Sequence, residues 1–192
     1  MGQVLLSVDS GRFARRMRAL TGLEEDHLRG VFLRDDLLQQ YETGRMDAEV
    51  FHEEIQRRSG AGIDRKEFEA AWNSAIGRTP IVPEKLLSSL SGRANLWILS
   101  NTNKVHFDYI SARFSFLRFF SGFVLSHEVG TLKPDESIFQ LALRKAGARA
   151  VETLFVDDQP ANVDAARRLG MDAIQFQGAD HLEYELRFRN LV

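Results

Sequence analysis

Three short apolar runs in the second half of the chain are each followed by residues that could bind a phosphoryl group or a cation. After the first run come Ser100 and Asn101, after the second and a short loop comes Lys133, and after the third come Asp157 and Asp158. Adjacent carboxylates supply the hard oxygen ligands that suit Mg²⁺. A lysine supplies a point charge for phosphate oxygens, and hydroxyl and amide groups can donate hydrogen bonds to them. Because phosphoryl transfer depends mainly on positioning and charge neutralisation, these residue types predict a phosphate site with bound Mg²⁺.

Each of these motifs also has a purely structural interpretation. Ser-Asn after a strand is commonly a turn or a helix cap, Lys-Pro-Asp is commonly a helix start, and Asp-Asp after a strand can be an N-cap. The functional interpretation is favoured because the three motifs occur together, each at the end of a predicted strand. Adjacent carboxylates also repel each other, which favours a cation near them.

The apolar runs are predicted to be strands that alternate with helices. The predicted strands cover 96–99, 123–125, 153–156 and 173–176, and the helices cover 103–113, 134–146, 160–169 and two segments that begin near Pro83 and Asp180. Such alternation predicts right-handed crossovers and a parallel sheet. Ligands of open parallel sheets bind beyond the carboxyl ends of the strands, where the three motifs would meet.

The first part of the chain has a different pattern of apolar residues. Residues 11–78 have the periodicity of helices and contain no good strand pattern. We therefore predict an α/β fold: a parallel-sheet, Rossmann-like core formed by 1–10 and 81–192, with an inserted α-helical cap at 11–80. The arginines within 12–18 are interpreted as the solvated face of the first helix.

Composition excludes several classes of function. Lys plus Arg is 25 and Asp plus Glu is 27 in 192 residues, which gives a net charge of −2. This balance argues against nucleic acid and membrane surfaces as partners, since both select a basic field. No apolar run approaches the length of a membrane span. The absence of cysteine fits a reducing compartment, so we expect a cytoplasmic protein. The oligomeric state is left open.

Through these motifs, the chain resembles the haloacid dehalogenase (HAD) superfamily of hydrolases, in the branch with a helical cap after the first strand. The segments similar to its second, third and fourth motifs are 99–102, 133–135 and 155–163, and the cap stretch 41–46 is similar as well. Within the branch, these motifs resemble those of phosphatases of small sugar phosphates, such as α-glucose-1-phosphatase. Dehalogenases of the superfamily lack the paired aspartates, which argues against that activity.

The resemblance implies a Mg²⁺-dependent phosphomonoesterase that acts on a small phosphorylated metabolite, with sugar phosphates as candidates. An aspartate at the end of the first strand attacks phosphorus, and water hydrolyses the aspartyl-phosphate that forms. Ser100 and Asn101 would hold the phosphoryl group. Lys133 would bridge the phosphate and the nucleophile, which makes it the catalytic lysine.

The same resemblance implies a set of metal ligands. Asp158 would bind Mg²⁺ directly, Asp157 would bind directly or through water, and Asn162 would support them. Gly2 falls two places beyond the expected nucleophile, where its carbonyl would ligate the metal. A general acid is often an aspartate at that same place, and Gly2 cannot serve as one.

The first motif is where the sequence departs from the family pattern. Residues 1–6 match only the part after the expected aspartate, which would precede Met1. The strand before it would bury about five apolar side chains, worth on the order of 7–15 kcal/mol, which is comparable to the whole stability of a domain. Our preferred hypothesis is a mis-assigned start codon. In the alternative, residues 3–8 are the first strand and Asp9 is the nucleophile.

Two other functions compete with a phosphatase. A catalytically inactive protein could keep the phosphate and metal site for binding or regulation. A phospho-acceptor receiver domain also uses paired acids, a hydroxyl and a lysine, but there the acid pair comes first and the lysine last. The order here is Ser100, Lys133, then Asp157 and Asp158, which argues against a receiver domain.

Overall fold

A computed structural model describes residues 1–33 and 36–192 as strands and helices that alternate after a helical insertion. The strands are β1 (Leu6–Val8), β2 (Ile76–Pro80), β3 (Trp97–Ser100), β4 (Gly122–Leu125), β5 (Leu154–Asp157) and β6 (Asp172–Gln175). The helices are α1 (Ser10–Thr21), α2 (Glu25–Leu33), α3 (Leu37–Glu42), α4 (Ala48–Ser59), α5 (Arg65–Asn73), α6 (Glu84–Ser91), α7 (Lys104–Arg113), α8 (Ser126–Val129), α9 (Glu136–Ala146), α10 (Pro160–Arg168) and α11 (Ala179–Phe188).

The predicted parallel pairing is confirmed, in two separate pieces. β3 pairs with β4 in parallel, with Ser100 opposite Leu125, and β5 pairs with β6 in parallel, with Asp157 opposite Gln175. β1 and β2 form an antiparallel pair. Within the described ranges, no ladder of hydrogen bonds joins β3 to β5. β3 and β5 are therefore not neighbouring strands, although their carboxyl ends face a common region.

The strands are buried on both faces, which explains their continuous apolar sequences. Alternate residues go to opposite sides: Leu125 packs in one apolar cluster with Ile98 and Ile174, while Val124 packs in another with Ala173. α9 and α10 cover the second face through residues such as Phe139 and Val163. α11 covers the first through Leu182 and Leu186.

The inserted helices have an apolar cluster of their own, which is rich in aromatic rings. Tyr41 stacks on Phe51 with ring centroids 4.0 Å apart, and Trp72 contacts Phe51 and Phe68. α4 and α5 are capped by Asp47 and Asp64, whose carboxylates accept hydrogen bonds from backbone N–H groups of the first turn. The division into a core at 1–10 and 81–192 and a cap at 11–80 stays a prediction, and Ile76 packs with the core cluster.

Several local predictions were wrong, each where long-range contacts outweigh the local pattern. β2 begins at Ile76, inside the stretch predicted to lack strands, because it forms by pairing with β1 rather than by any apolar alternation. The alternative in which Asp9 is the nucleophile expected a first strand over 3–8; β1 is shorter, since Gln3 has a φ of 59° and lies in a tight turn. Asp180 does not cap α11; the N-cap is Gly178, without a side-chain hydrogen bond.

A search of the described helices for one long and apolar enough to cross a membrane found none.

The loop after α3 approaches the core closely at Gly44. This glycine has a φ of 68°, and a Cβ placed on it would lie 2.1 Å from the carbonyl oxygen of His127. Gly60, at the end of α4, has a φ of 69° but open space around its Cβ direction. The two positions share the left-handed backbone and differ only in the contact, so they make a matched pair.

We expect Gly44→Ala to destabilise the protein more than Gly60→Ala. The left-handed backbone costs an alanine about 1–2 kcal/mol at either position. At Gly44 the clash with the core adds about 1–3 kcal/mol. Urea unfolding of the two variants measures the difference, and equal losses of stability would show that the cap loop can retreat from the core.

Candidate active site

Lys133 joins the carboxyl ends of β3 and β5. Its Nζ donates to the carbonyl oxygen of Leu99 at 3.0 Å and to Oδ2 of Asp157 at 2.5 Å. Both side chains of the ion pair are 6% exposed, so water screens their attraction little. Because Leu99 precedes Ser100 and Asp157 precedes Asp158, this one ammonium group brings the three predicted motifs to one place.

Asp157 has a full set of hydrogen-bond partners. Its Oδ1 accepts from the Gln159 backbone N–H and from the Asn162 amide, both at 2.9 Å, and its Oδ2 accepts from Lys133. Burial acts to raise the pKa of Asp157, but the charge of Lys133 and the three hydrogen bonds outweigh it and hold the pKa below its usual value. Asp157 is therefore a fixed carboxylate, and Asn162 supports it as expected.

Asn101 positions the lysine through a reciprocal pair of hydrogen bonds. Its Nδ2 donates to the Lys133 carbonyl at 2.9 Å, and its Oδ1 accepts from the Lys133 N–H at 2.8 Å. Ser100 is 1% exposed, and its hydroxyl donates to the Asn101 carbonyl at 3.2 Å. The side chains predicted to hold a phosphoryl group thus lie beside Lys133, and that of Asn101 is already engaged with its backbone.

Asp158 is the carboxylate of the pair that stays available to coordinate a cation. Its side chain accepts from the neighbouring Gln159 amide, and its backbone carbonyl accepts from Gln175. Across residues 1–33 and 36–192, no group of three His, Cys, Asp or Glu side chains is placed to hold a metal ion. Mg²⁺ often binds proteins through one or two carboxylates, with waters and substrate oxygens completing its shell. The oxygen donors of Asp157 and Asp158 fit that pattern.

The amino group of Met1 lies buried beside the same residues. Its pKa is lowered to about 5, mainly by burial and also by the charge of Lys133, while Asp157 and Asp158 act in the opposite direction. The Met1 carbonyl accepts hydrogen bonds from Leu5 at 2.9 Å and Leu6 at 3.3 Å, which closes the tight turn that holds the amine there. Gly2, the predicted carbonyl ligand, is one residue along this turn and forms a bridge with Leu6.

Asp9, the alternative nucleophile, caps α1. Its carboxylate accepts from the backbone N–H and the guanidinium of Arg12, both at 3.1 Å, and lies 3.9 Å from Arg15. Its side chain is 45% exposed. The partners of Asp9 are thus the arginines of its own helix, while Lys133 is paired with Asp157.

The cap reaches this edge of the core at Ser126. The Ser126 hydroxyl lies 2.6 Å from the Glu42 carbonyl and 2.9 Å from the Thr102 carbonyl, and it accepts from the Thr102 N–H at 2.9 Å. Burial raises the pKa of the Glu42 carboxyl from 4.5 to about 7. The sequence did not single out Glu42, although it lies in the stretch 41–46 that resembles the family.

The aromatic and histidine side chains near this edge pack against one another rather than face an opening. Tyr41 and Trp72 belong to the aromatic cluster of the cap. His106 stacks on Trp72 with centroids 5.1 Å apart, and its Nε2 lies 3.1 Å from the Trp72 carbonyl. Burial lowers the pKa of His106 to about 4, so its ring is neutral near pH 7. Trp72 Nε1 donates to Oδ1 of Asn103, the N-cap of α7.

Comparison with known proteins decides the family. Residues 18–170 match the model of the haloacid dehalogenase-like hydrolases, which is most of the chain. The chain belongs to this family. The earlier resemblance is thereby confirmed at the level of the superfamily, as is the classification as a hydrolase.

Individual relatives within the HAD family are similar over nearly the whole chain. The D-ribitol-5-phosphate phosphatase of Bacteroides thetaiotaomicron is 25% identical, over 93% of this chain and 90% of its own length. The sesquiterpene phosphatase astK of Aspergillus oryzae is 25% identical, over 85% of this chain and 83% of its own. The HAD family enzyme bt-2542 of B. thetaiotaomicron, solved with magnesium and inorganic phosphate, is 27% identical with a TM-score of 0.86, over 95% of each chain.

We expect Lys133→Ala to be strongly destabilising. It leaves the Asp157 carboxylate buried without its ammonium partner, which costs about 3–5 kcal/mol. The exposed pair Lys104–Asp108, with N–O distance 2.8 Å, provides the control, and Lys104→Ala should cost less than about 1 kcal/mol. Chemical denaturation of both variants measures the costs; similar losses would show that burial contributes nothing to the Lys133 pair.

We expect Glu42→Gln to stabilise the protein in a pH-dependent way. Between pH 4.5 and about 7 the folded protein keeps a proton that the unfolded chain releases, so stability falls as the pH rises through this window. At pH 8 the glutamine variant should be more stable by about 1–3 kcal/mol, and at pH 4 the two proteins should be equal. Thermal unfolding at both pH values tests this, with Glu53→Gln on the exposed side of α4 as the control.

Proposed function

We propose that this HAD hydrolase is a Mg²⁺-dependent phosphomonoesterase of a small phosphorylated metabolite. The observation that supports this most is the position of Lys133, whose ammonium group lies between the end of β3 and the carboxylate of Asp157. Three segments that are far apart in the sequence thus border one point. They carry a hydroxyl, a cation and two carboxylates, which is the inventory that phosphoryl transfer requires.

Ser100 and Lys133 would bind the phosphoryl group. The Ser100 hydroxyl can turn from the Asn101 carbonyl, a weak 3.2 Å contact, to a phosphate oxygen. The Lys133 ammonium keeps two protein acceptors and has a third N–H for the phosphate. Asn101 would act as a positioning residue, because its amide fixes the backbone of Lys133.

Asp158 would hold the metal, with Asp157 in support. Asp157 already has partners on both oxygens, so Asp158 has the oxygens that are free to coordinate. The Gly2 carbonyl is the third proposed ligand, close to the buried amine of Met1. Bound Mg²⁺ would shield the charge of the phosphoryl oxygens. Relatives support this choice of metal, since bt-2542 was solved with magnesium and phosphate.

The nucleophile that we propose is an aspartate directly before Met1, at the place that the family pattern requires. The Met1 amine lies within electrostatic reach of Lys133, Asp157 and Asp158. A strand that ends there would run between β3 and β5, which are not paired with each other. Its carboxylate would form the new bond to phosphorus while the bond from phosphorus to the leaving alcohol breaks. Water would then cleave the acyl phosphate and release inorganic phosphate.

The substrate class that we propose is a polyol or sugar phosphate. The D-ribitol-5-phosphate phosphatase is similar over nearly its whole length, which supports a hydroxylated substrate. In this chain Glu42 is a cap carboxyl without a partner among the described residues, at the loop that contacts the core beside Thr102. A hydroxyl group of the substrate could donate to it.

The test compares two forms of the protein that differ in a single side chain, a carboxylate in one and an amide in the other. An apolar segment of five residues followed by Phe-Asp is placed directly before Met1, and the control carries Phe-Asn instead. With Mg²⁺ and p-nitrophenyl phosphate, the aspartate form should turn over and the asparagine form should not, because an amide is a poor nucleophile. In the active form, Asp158→Asn should raise the Mg²⁺ concentration needed for half-maximal rate, and Asp9→Asn should change nothing.

Other outcomes would favour a different function or a different nucleophile. An aspartate form that binds phosphate and Mg²⁺ in calorimetry but never hydrolyses the ester would favour the inactive binding protein. Activity of the chain that begins at Met1, lost in Asp9→Asn, would favour Asp9 as the nucleophile. A panel of sugar and polyol phosphates would then rank substrates, and no preference for hydroxylated ones would contradict the proposed substrate class.

A further inference from the structure

A cleft lies between the inserted helices and the elements next to them in the fold. It has a volume of about 650 Å³ and is bordered by α1, α5, β2 and α7. α7 begins just after the candidate active site and reaches the cleft with its last turn, at Tyr109 and Arg113. The lining of the cleft includes none of the side chains of the candidate active site, Ser100, Asn101, Lys133, Asp157 and Asp158, so the cleft is distinct from that site.

The walls of this cleft are strongly basic. Glu69 is the acidic side chain among its lining residues. Against it stand six cations: Arg12, Arg15, Arg16, Lys66, Arg78 and Arg113. The lining thus has a net charge of 6 − 1 = +5 in a chain whose net charge is −2. A concave surface of one charge sign focuses the field and attracts ions of the opposite sign.

Little of this positive charge is neutralised by the protein. Asp9 pairs with Arg12 at 3.1 Å and approaches Arg15 at 3.9 Å, while Glu69 pairs with Arg65, outside the lining. The remaining four cations have no carboxylate within ion-pair distance in the described parts of the chain: Arg16, Lys66, Arg78 and Arg113. The Arg113 guanidinium instead stacks on the Tyr109 ring at 4.3 Å.

The fold gathers these cations from elements that are distant in sequence. Arg12 and Arg16 are one helical turn apart on α1, and Arg78 lies in β2. The arginines of α1 were interpreted as a solvated helix face. Three of them, Arg12, Arg15 and Arg16, also line the cleft, so charge repulsion there must be offset by a ligand or by salt.

Asn73, the last residue of α5, lines the cleft, and its buried Oδ1 has no hydrogen-bond donor among the described residues. An unsatisfied buried acceptor costs free energy until a donor reaches it. A rotation of the Asn73 side chain toward the cleft would let a hydroxyl group on a bound molecule provide that donor.

We propose that this cleft binds a chain of phosphate groups, of the triphosphate class, and that the bound anion bridges cap and core. Guanidinium groups match phosphate oxygens in pairs of parallel hydrogen bonds, and five of the six cations are arginines. The same chemistry occurs in inorganic triphosphate and in nucleoside triphosphates. The nucleoside form adds ribose hydroxyls, one of which could donate to Asn73.

Isothermal titration calorimetry tests the proposal on the full chain. Inorganic triphosphate and ATP are titrated separately at about 50 mM salt with EDTA present, so that the metal-dependent site around Asp158 does not contribute. Binding of one anion per chain is expected. The double variant R16E/R78E should lose about tenfold or more in affinity. The control R93E/R144E makes the same charge change at exposed positions away from the cleft and should lose less than about twofold.

The outcomes distinguish inorganic triphosphate from nucleoside triphosphate as the ligand, and they show when the proposal fails. Equal affinity for both anions would assign recognition to the phosphate chain, and tighter binding of ATP that Asn73→Ala reduces to the level of triphosphate would add the hydroxyl contact. Absence of binding, or equal losses in R16E/R78E and R93E/R144E, would overturn the proposal. Thermal melting of each variant shows whether it is folded. The result is independent of the phosphatase assignment, since Asp158→Asn should leave this binding unchanged.

Discussion

The buried contact between the Lys133 ammonium and the Asp157 carboxylate is the interaction on which the rest of the candidate active site depends. Removing two charges from water is costly, and their attraction repays that cost only when the remaining hydrogen-bonding groups are also satisfied. Here they are satisfied by the Leu99 carbonyl, the Asn162 amide and the Gln159 N–H. The pair therefore fixes the ends of β3 and β5 and the intervening loop together, and gives the site its geometry.

A second consequence of this arrangement is the different environment of two adjacent acids. Asp157 is 4% exposed and its carboxylate is held by three hydrogen bonds, whereas Asp158 next to it is half-buried and bonds only its neighbour's amide through its side chain. One residue of separation at a strand end reverses the direction of the side chain. The first acid serves structure and the second is left for a cation, which the sequence pair Asp-Asp does not reveal by itself.

The sequence predicted the fold and the gathering of the motifs well, because both follow from local patterns. Continuous apolar runs identified β3 to β6, and the rule that ligands lie beyond the carboxyl ends placed Ser100, Lys133 and Asp157 together. What it could not predict depends on contacts between distant segments. β2 forms only through β1, and the basic cleft exists only because Arg16 and Arg78, which are distant in sequence, line the same concave surface. Neither β2 nor the basic cleft can be recognised from a short stretch of the sequence.

The contact between Trp72 and the start of α7 limits how the two parts of the protein can move. The Trp72 indole donates to Asn103, which caps α7, and its ring lies flat on His106 in the first turn of that helix. A swing of the insertion away from the strands must unstack these rings and leave a helix terminus uncapped. Movement of the insertion would therefore be coupled to local fraying at α7. Amide hydrogen exchange in the first turn of α7 would report how often this movement occurs.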